Sequence, residues 1–141
     1  MTIPNLDSLG IGKRKRYLIG VSGGRDSIAL LHWMKYEIGC KDLIVCHLNH
    51  LLRGRESGLD SRFVRNLAKS YGFQFECEKK DVLALSKSKK ISIEMAAREA
   101  RMNFFGRAAL KWRCSRVVLA LSLIHISEPT RRTPISYAVF C

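Results

Sequence analysis

Acidic residues are scarce in this chain: its 141 residues hold 12 Asp and Glu against 25 Lys and Arg, a formal net charge of +13 at pH 7. Such a balance predicts a polyanionic partner, nucleic acid above all. The plainer alternative is a solvated basic surface that aids solubility and binds nothing in particular. No apolar run reaches 18 residues, so no membrane span is expected. The N-terminus also has no signal-peptide core, which sets a cytoplasmic expectation. The five cysteines, Cys40, Cys46, Cys77, Cys114 and Cys141, contain no Cys-x-x-Cys pair. That spacing argues against a zinc site or a redox dithiol and favours reduced thiols, with Cys46 and Cys77 as small core residues.

Hydrophobic residues are plentiful, at 47% of the chain, enough for the core of one domain. The most informative stretch is Tyr17-Leu-Ile-Gly-Val-Ser-Gly-Gly-Arg-Asp-Ser27. Tyr17 to Val21 reads as a short buried strand. A turn with Gly23 and Gly24 follows, and an apolar-periodic helix opens at Asp26. Unpaired N–H groups and the macrodipole at a helix start favour an anion. Glycines allow positive φ and close backbone approach. Ser22 and Ser27 add hydroxyls, and Asp26 is placed to hold a metal or steer a donor. The ligand predicted is a phosphate or pyrophosphate. No lysine follows Gly24, which excludes a Walker A loop, and the Gly-x-Gly-x-x-Gly dinucleotide pattern is absent as well. A plain Gly/Ser/Asp turn capping a helix needs only one such residue, not six in order after a strand.

The remaining pattern alternates strands and helices. The first helix spans about residues 26–38 and is closed by Gly39. Leu43 to Leu48 reads as a second strand running into a polar loop, Asn49 to Gly54. A helix over 58–71 carries Ser57-Gly-Leu-Asp60 as a capping box and Gly72 as a stop. Its apolar face is Leu59, Phe63, Val64, Leu67, Ala68 and Tyr71. Phe73 to Cys77 is a third strand, and Lys79 to Lys90 a basic linker with at most one helical turn. Ile93 to Lys111 is a long helix, and Arg116 to Ala120 a fourth strand. This order favours an α/β fold with a doubly wound parallel sheet. The ligand then sits at the carboxyl ends of the strands, where the loops after Val21, Leu48 and Ala120 meet.

Asn49 and His50 fall on that edge, where His50 is placed to meet ribose, phosphate or a base, or else makes ordinary loop hydrogen bonds. His47 and His32 read as structural. Glu94, Arg98 and Arg101, spaced i, i+4 and i+7, share one helix face. They form either a helical ion pair with an exposed arginine or a phosphate-neutralising group, for which arginine's permanent charge and forked donors are suited.

Ser22-Gly-Gly-Arg-Asp-Ser27 resembles the Ser-Gly-Gly-x-Asp-Ser loop of the N-type ATP pyrophosphatases, which cleave ATP between the α and β phosphates. Leu48-Asn-His-Leu-Leu-Arg-Gly54 resembles the Asn-His-x-Leu-Arg segment of the bacterial tRNA(Ile)-lysidine synthase family. Ser92-Ile-Glu-Met-Ala-Ala-Arg-Glu-Ala-Arg101 resembles that family's Ala-Arg-x-x-Arg helix. The resemblance covers roughly residues 17–120. It implies a Rossmann-like sheet of the adenine nucleotide alpha hydrolase type. It implies an ATP-dependent ligase that adenylates the wobble cytidine of an isoleucine tRNA with a CAU anticodon and lets lysine displace AMP. On that basis Ser22, Gly23, Gly24, Arg25, Asp26 and Ser27 would bind ATP, with Asp26 near Mg2+. Asp26, Arg98 and Arg101 would act in catalysis, and Asn49 and His50 would line the substrate or nucleotide edge. A homodimer is implied for the intact family member. The other PP-loop reading is a tRNA thiolase, which commonly carries paired cysteines. A reading from a different class is a non-catalytic, basic RNA-binding module.

The resemblance stops after Ala120. The family continues there with a His-x-x-Asp-Asp-Gln-type segment, and this chain has no Asp-Asp anywhere. Residues 121–141 resemble a translated sequencing adapter, so the expected division is a basic lead-in at 1–16, a truncated ATP-binding domain at 17–120 and a non-family tail. The sheet is then expected to be incomplete on its C-terminal side, and the chain to bind ATP weakly without modifying tRNA. The alternative is a divergent tail with its own strand, Ile135 to Phe140.

Overall fold

A computed structural model describes residues 15–51, 55–120 and 136–140. Five strands form one parallel sheet. In chain order the elements are β1 (Tyr17–Gly20), α1 (Arg25–Trp33), β2 (Leu43–Asn49), α2 (Arg55–Ser70), β3 (Gln74–Lys79), α3 (Val82–Lys89), α4 (Ile93–Lys111), β4 (Arg116–Ala120) and β5 (Ser136–Phe140). The spatial order is β3-β2-β1-β4-β5. The lead-in lies outside the described residues apart from Lys15 and Arg16. β5 extends the sheet in parallel with β4, its Tyr137 opposite Val117.

The apolar runs become strands because both faces of the sheet are covered. Side chains alternate between the faces. Tyr17, Ile19, Val45 and Val118 enter one core with Leu30, Leu31 and Met34 of the first helical segment and Val64 and Ala68 of α2. Leu18, Ile44, Cys46, Leu48 and Val117 enter the other with Val82 of α3 and Ala96, Ala100, Phe104, Phe105 and Ala108 of α4. The doubly wound parallel sheet expected from the sequence is therefore the one observed. Gly20 leaves room for the side chains of Phe105 on α4 and Leu119 on β4. A Cβ there would stand 2.6 Å from Leu119 Cδ2 and 2.7 Å from Phe105 Cε2 and Cζ.

Four local expectations need correction. The last turns of the first helix, Met34–Ile38, widen to π geometry before Gly39 closes them at φ 80°. α2 begins at Arg55, so Ser57 falls inside the helix and Ser57–Asp60 is not a capping box. Phe63 is 52% exposed, so it does not belong to the buried face of α2. The stretch read as a basic linker holds a two-turn helix, α3. Asp81 caps it by accepting from Ala84 N at 3.0 Å, and it buries Val82 and Ser86. Its lysines hid a short apolar face that only tertiary packing makes useful.

The C-terminal half of α4 is tied to β3 by charge. Glu76 accepts from Lys111 Nζ at 2.7 Å and Trp112 Nε1 at 2.8 Å. Arg107 forms a two-pronged pair with Glu78 at 2.9 and 2.8 Å. Burial alone would raise the Glu76 carboxyl. The hydrogen bonds from Lys111 and Trp112, with the charges of Lys111 and Arg107, outweigh it and hold the group below the usual carboxylate range. A carboxyl depressed in the folded state stabilises the fold above its unfolded pKa. That contribution disappears as pH falls through the folded value. Glu76→Gln is expected to lower stability by about 1 kcal/mol near neutrality. The gap from the unaltered chain should close on acidification, as read from melting temperatures between about pH 3 and pH 7.

Candidate functional site

β2 and β3 lie on one side of β1, and β4 on the other. β1 continues through α1 to β2 on one side, while β4 lies on the other, so the carboxyl ends of β1 and β4 flank a change of direction in the strand order. Open parallel sheets bind ligands at such a switch point. A pocket here is lined by Ser22, Gly24, Arg25, Asp26, Ser27 and Ala120. The loop after β1 and the carboxyl end of β4, at Ala120, meet in this pocket; the segment expected to follow Ala120 lies outside the described residues. Asn49 and His50, after β2, are not among the lining residues.

The loop between β1 and α1 is shaped by its own hydroxyls. Ser27 Oγ accepts from Ser22 N at 3.1 Å and lies 3.1 Å from Gly24 O. That carbonyl can only accept, so the Ser27 hydroxyl donates to it. Ser22 Oγ accepts from Gly24 N at 3.2 Å and donates its own proton to Ser27 Oγ, 3.1 Å away. Ser27 is buried, whereas Arg25 and Asp26 are exposed. Gly23 takes φ 91°, where only glycine is unstrained.

α1 differs from the other described caps. Ser92 caps α4 by accepting from Met95 N at 3.1 Å, as Asp81 caps α3. Gly24 gives α1 no side-chain cap. Its first-turn N–H groups therefore face the pocket without a protein side chain to satisfy them, which suits an anion. Among the described residues no three His, Cys, Asp or Glu side chains gather. Asp26 alone still fits Mg2+, which commonly takes one or two carboxylates and completes its shell with phosphate oxygens and water.

The loop is anchored from behind by a residue read from sequence as merely structural. His47 is buried, and its Nδ1 lies 2.8 Å from Val21 O. The carbonyl must accept, so the Nδ1–H tautomer is fixed. Val21 N also donates to Cys46 O at 2.9 Å. Asp60 was noticed only as a capping residue. It rests instead against the loop: a Cβ on Gly23 would meet Asp60 Cβ at 3.5 Å and Oδ1 at 3.7 Å. Neither contact has a sequence signature, because both depend on packing between elements.

The remaining candidates gather at the end of β2. Asn49 is buried, and its Oδ1 accepts from Leu51 N at 3.0 Å, holding the turn where Leu51 has φ 58°. His50 Nδ1 is buried without a hydrogen-bond partner among the described residues. Burial first, then the charges of Arg101 and His47, keep His50 below the usual imidazole range. Burial and the neighbouring Arg98 lower Arg101, while Glu94 opposes them. Glu94, Arg98 and Arg101 interact as their spacing suggested, and His50, which the spacing did not include, feels the charge of Arg101; none of them lines the pocket of the loop after β1. His32 is exposed and meets Tyr71 Oη at 3.2 Å, away from both groups.

Fold and site together define a nucleotide-binding α/β domain with its anion loop at the first switch point. The chain belongs to the PP-loop family, whose domain matches residues 5–124. It is 39% identical to the tRNA(Ile)-lysidine synthase of Clostridium tetani over 115 residues, 78% of this chain and 24% of that protein. It is 40% identical to the tRNA(Ile)-lysidine synthase of Bacteroides thetaiotaomicron over 110 residues, 76% of this chain and 24% of the relative. The chain therefore spans about a quarter of the length of these curated relatives. Among solved structures, the U34-tRNA thiolase NcsA from Methanococcus maripaludis matches with a TM-score of 0.60 at 20% identity. The match covers 77% of this chain and 38% of that one, and the likeness is one of fold.

Proposed function

We propose that this chain carries the ATP-binding site of a tRNA(Ile)-lysidine synthase, a cytoplasmic ligase that converts the wobble cytidine of an isoleucine tRNA with a CAU anticodon to lysidine. The observation that carries the reading is the uncapped start of α1 facing the pocket at the β1/β4 switch. The 39–40% identity to lysidine synthases supports the choice within the family. In the proposed reaction the cytidine O2 attacks the α phosphorus of ATP, the bond to the β-phosphate oxygen breaks, and pyrophosphate leaves. The lysine ε-amine then adds at C2, AMP departs, and the amine proton is released.

In this reading Ser22, Gly23, Gly24, Arg25 and Ser27 cradle the departing phosphates through backbone N–H groups, hydroxyls and the guanidinium. Asp26 would hold Mg2+, whose charge offsets that of the leaving group. Arg98 and Arg101, with Asn49 and His50 beside them, act from the end of β2 on the nucleotide or the RNA. Most of the rate gain is positioning and charge neutralisation, for which on the order of 7–11 kcal/mol is the upper scale. The basic surface suits a tRNA partner, and the intact enzyme is proposed to dimerise. Residues 17–120 form the nucleotide-binding unit. Where the resembling family has His-x-x-Asp-Asp-Gln after the fourth strand, this sequence reads Leu121-Ser-Leu-Ile-His125, so these 141 residues bind ATP weakly and do not complete the transfer.

The thiolase alternative is less well supported. Cys40 and Cys46 are buried, burial pushes the Cys40 thiol up to about 11, and Cys46 is pushed up further. No cysteine is among the pocket-lining residues.

Titration with ATP and Mg2+ tests the site. Saturable binding is expected, weakened at least tenfold by Asp26→Ala. Steeply salt-dependent tRNA binding without an ATP signal sensitive to Asp26→Ala would overturn the enzyme reading in favour of an RNA-binding module. In a single-turnover assay with ATP, lysine and the cognate tRNA, no lysidine is expected from these 141 residues. Its formation would show that the acidic segment is dispensable.

A further inference from the structure

The loop after β1 has a second carboxylate beside it, Asp60, that caps no helix and makes no ion pair among the described residues. Asp60 lies in the second turn of α2, five residues past the helix start at Arg55, so it does not cap that helix. It is half-buried, and its side chain packs on the Cα face of Gly23. Apart from Asp26, the polar groups of the loop that are free to meet a ligand attract anions: the first-turn N–H groups of α1 and Arg25. On a chain of net charge +13, such a loop would hold any polyphosphate.

We propose that Asp60 is a specificity-determining residue that makes the loop discriminate against polyphosphate arriving without a divalent cation. This deepens the ATP reading above and rests on it. Asp60 does not itself line the pocket, but a negative charge packed against the loop from behind raises the energy of a bare triphosphate, because like charges repel across the few ångströms of the loop's thickness. ATP that carries Mg2+ brings less net negative charge and escapes most of the penalty. Asp60 thereby ties occupancy of the loop to the form of ATP whose pyrophosphate is ready to leave. It acts through charge on the bound phosphates and needs no place among the reacting atoms.

The test compares ATP affinity of the full chain in excess Mg2+ and in EDTA, by calorimetry, for the unaltered chain, Asp60→Asn and Asp60→Glu. Asp60→Asn is expected to bind ATP about tenfold more tightly in EDTA, with little change in Mg2+, so the ratio of the two affinities falls about tenfold. Asp60→Glu keeps the charge and should keep the ratio. Thermal melts of all three identify any variant that fails to fold, and the glutamate variant then decides the question through its ratio alone. An unchanged ratio in Asp60→Asn overturns the inference while leaving ATP binding intact. A ratio that falls because the Mg2+ arm weakens and the EDTA arm stays put also overturns it, since Asp60 would then be holding the metal. Failure of the unaltered chain to bind ATP in either condition overturns the nucleotide reading itself, and this inference with it.

Discussion

Gly20→Val is expected to destabilise the domain by about 3 kcal/mol, at the upper end of overpacking costs. A thermal melt should show a fall on the order of 10 °C. The first added carbon would already stand at 2.6–2.7 Å from Leu119 and Phe105. Phe105 is packed in the core between α4 and the sheet, with Leu119 against the same cluster. Leu119, on β4 and partly buried, can turn its side chain aside, but the buried Phe105 ring has no such freedom, so α4 must shift from the sheet to accept the added carbon. Gly106, one residue beyond Phe105, is the internal control. A Cβ there meets nothing within 4 Å. Gly106→Ala should therefore raise stability by about 0.5–1 kcal/mol, the usual gain from removing glycine from a helix interior. Equal losses at the two positions would show that α4 does not sit against β1 as described.

Gly23→Val is expected to act on ligand binding more than on folding. Its φ of 91° lies in the region that branched side chains avoid, at a cost of roughly 1–2 kcal/mol or more if the loop keeps its shape. The loop is short and surface-facing, so it relaxes, and the N–H groups of Gly24 and the α1 start turn away from the pocket. ATP affinity should then fall by at least tenfold while the melting temperature drops only a few degrees. Gly39 separates the two effects. It has a similar φ of 80° and open space around it, at the far end of the first helical segment from the pocket. Gly39→Val should lower the melting temperature comparably and leave ATP affinity unchanged. Loss of affinity in both variants would assign the effect to general destabilisation.

Much of this was legible because the strands are uninterrupted apolar runs. Tyr17 to Val21 and Leu43 to Leu48 are buried on both faces, so no polar alternation blurs them. α4 was legible end to end, since Ser92 caps it and its alanines and phenylalanines keep a helical period. α3 was missed because lysines flank it on both sides, Lys79 and Lys80 before and Lys87, Lys89 and Lys90 at and after its end, while the one residue that anchors it fully, Val82, carries no period by itself. The start of α2 was misplaced because Ser57-x-x-Asp60 has the form of a capping box; the chain turns helical earlier, and Asp60 is used against Gly23 instead. The strand, glycine turn and helix start at Tyr17 to Ser27 were legible from residue order alone. The carbonyl that His47 holds and the company that Arg101 keeps with His50 follow from strand register and helix docking, which no short window contains.

The hydroxyl ring of Ser22 and Ser27 has a kinetic consequence. Because it is closed by uncharged hydrogen bonds within the loop, the shape of the cradle does not depend on ionic strength. The arginines and lysines that draw a polyanion toward it do. Rising salt should therefore slow the arrival of nucleotide far more than it hastens its departure. Residence time on the loop would be nearly constant across conditions in which the association rate falls severalfold.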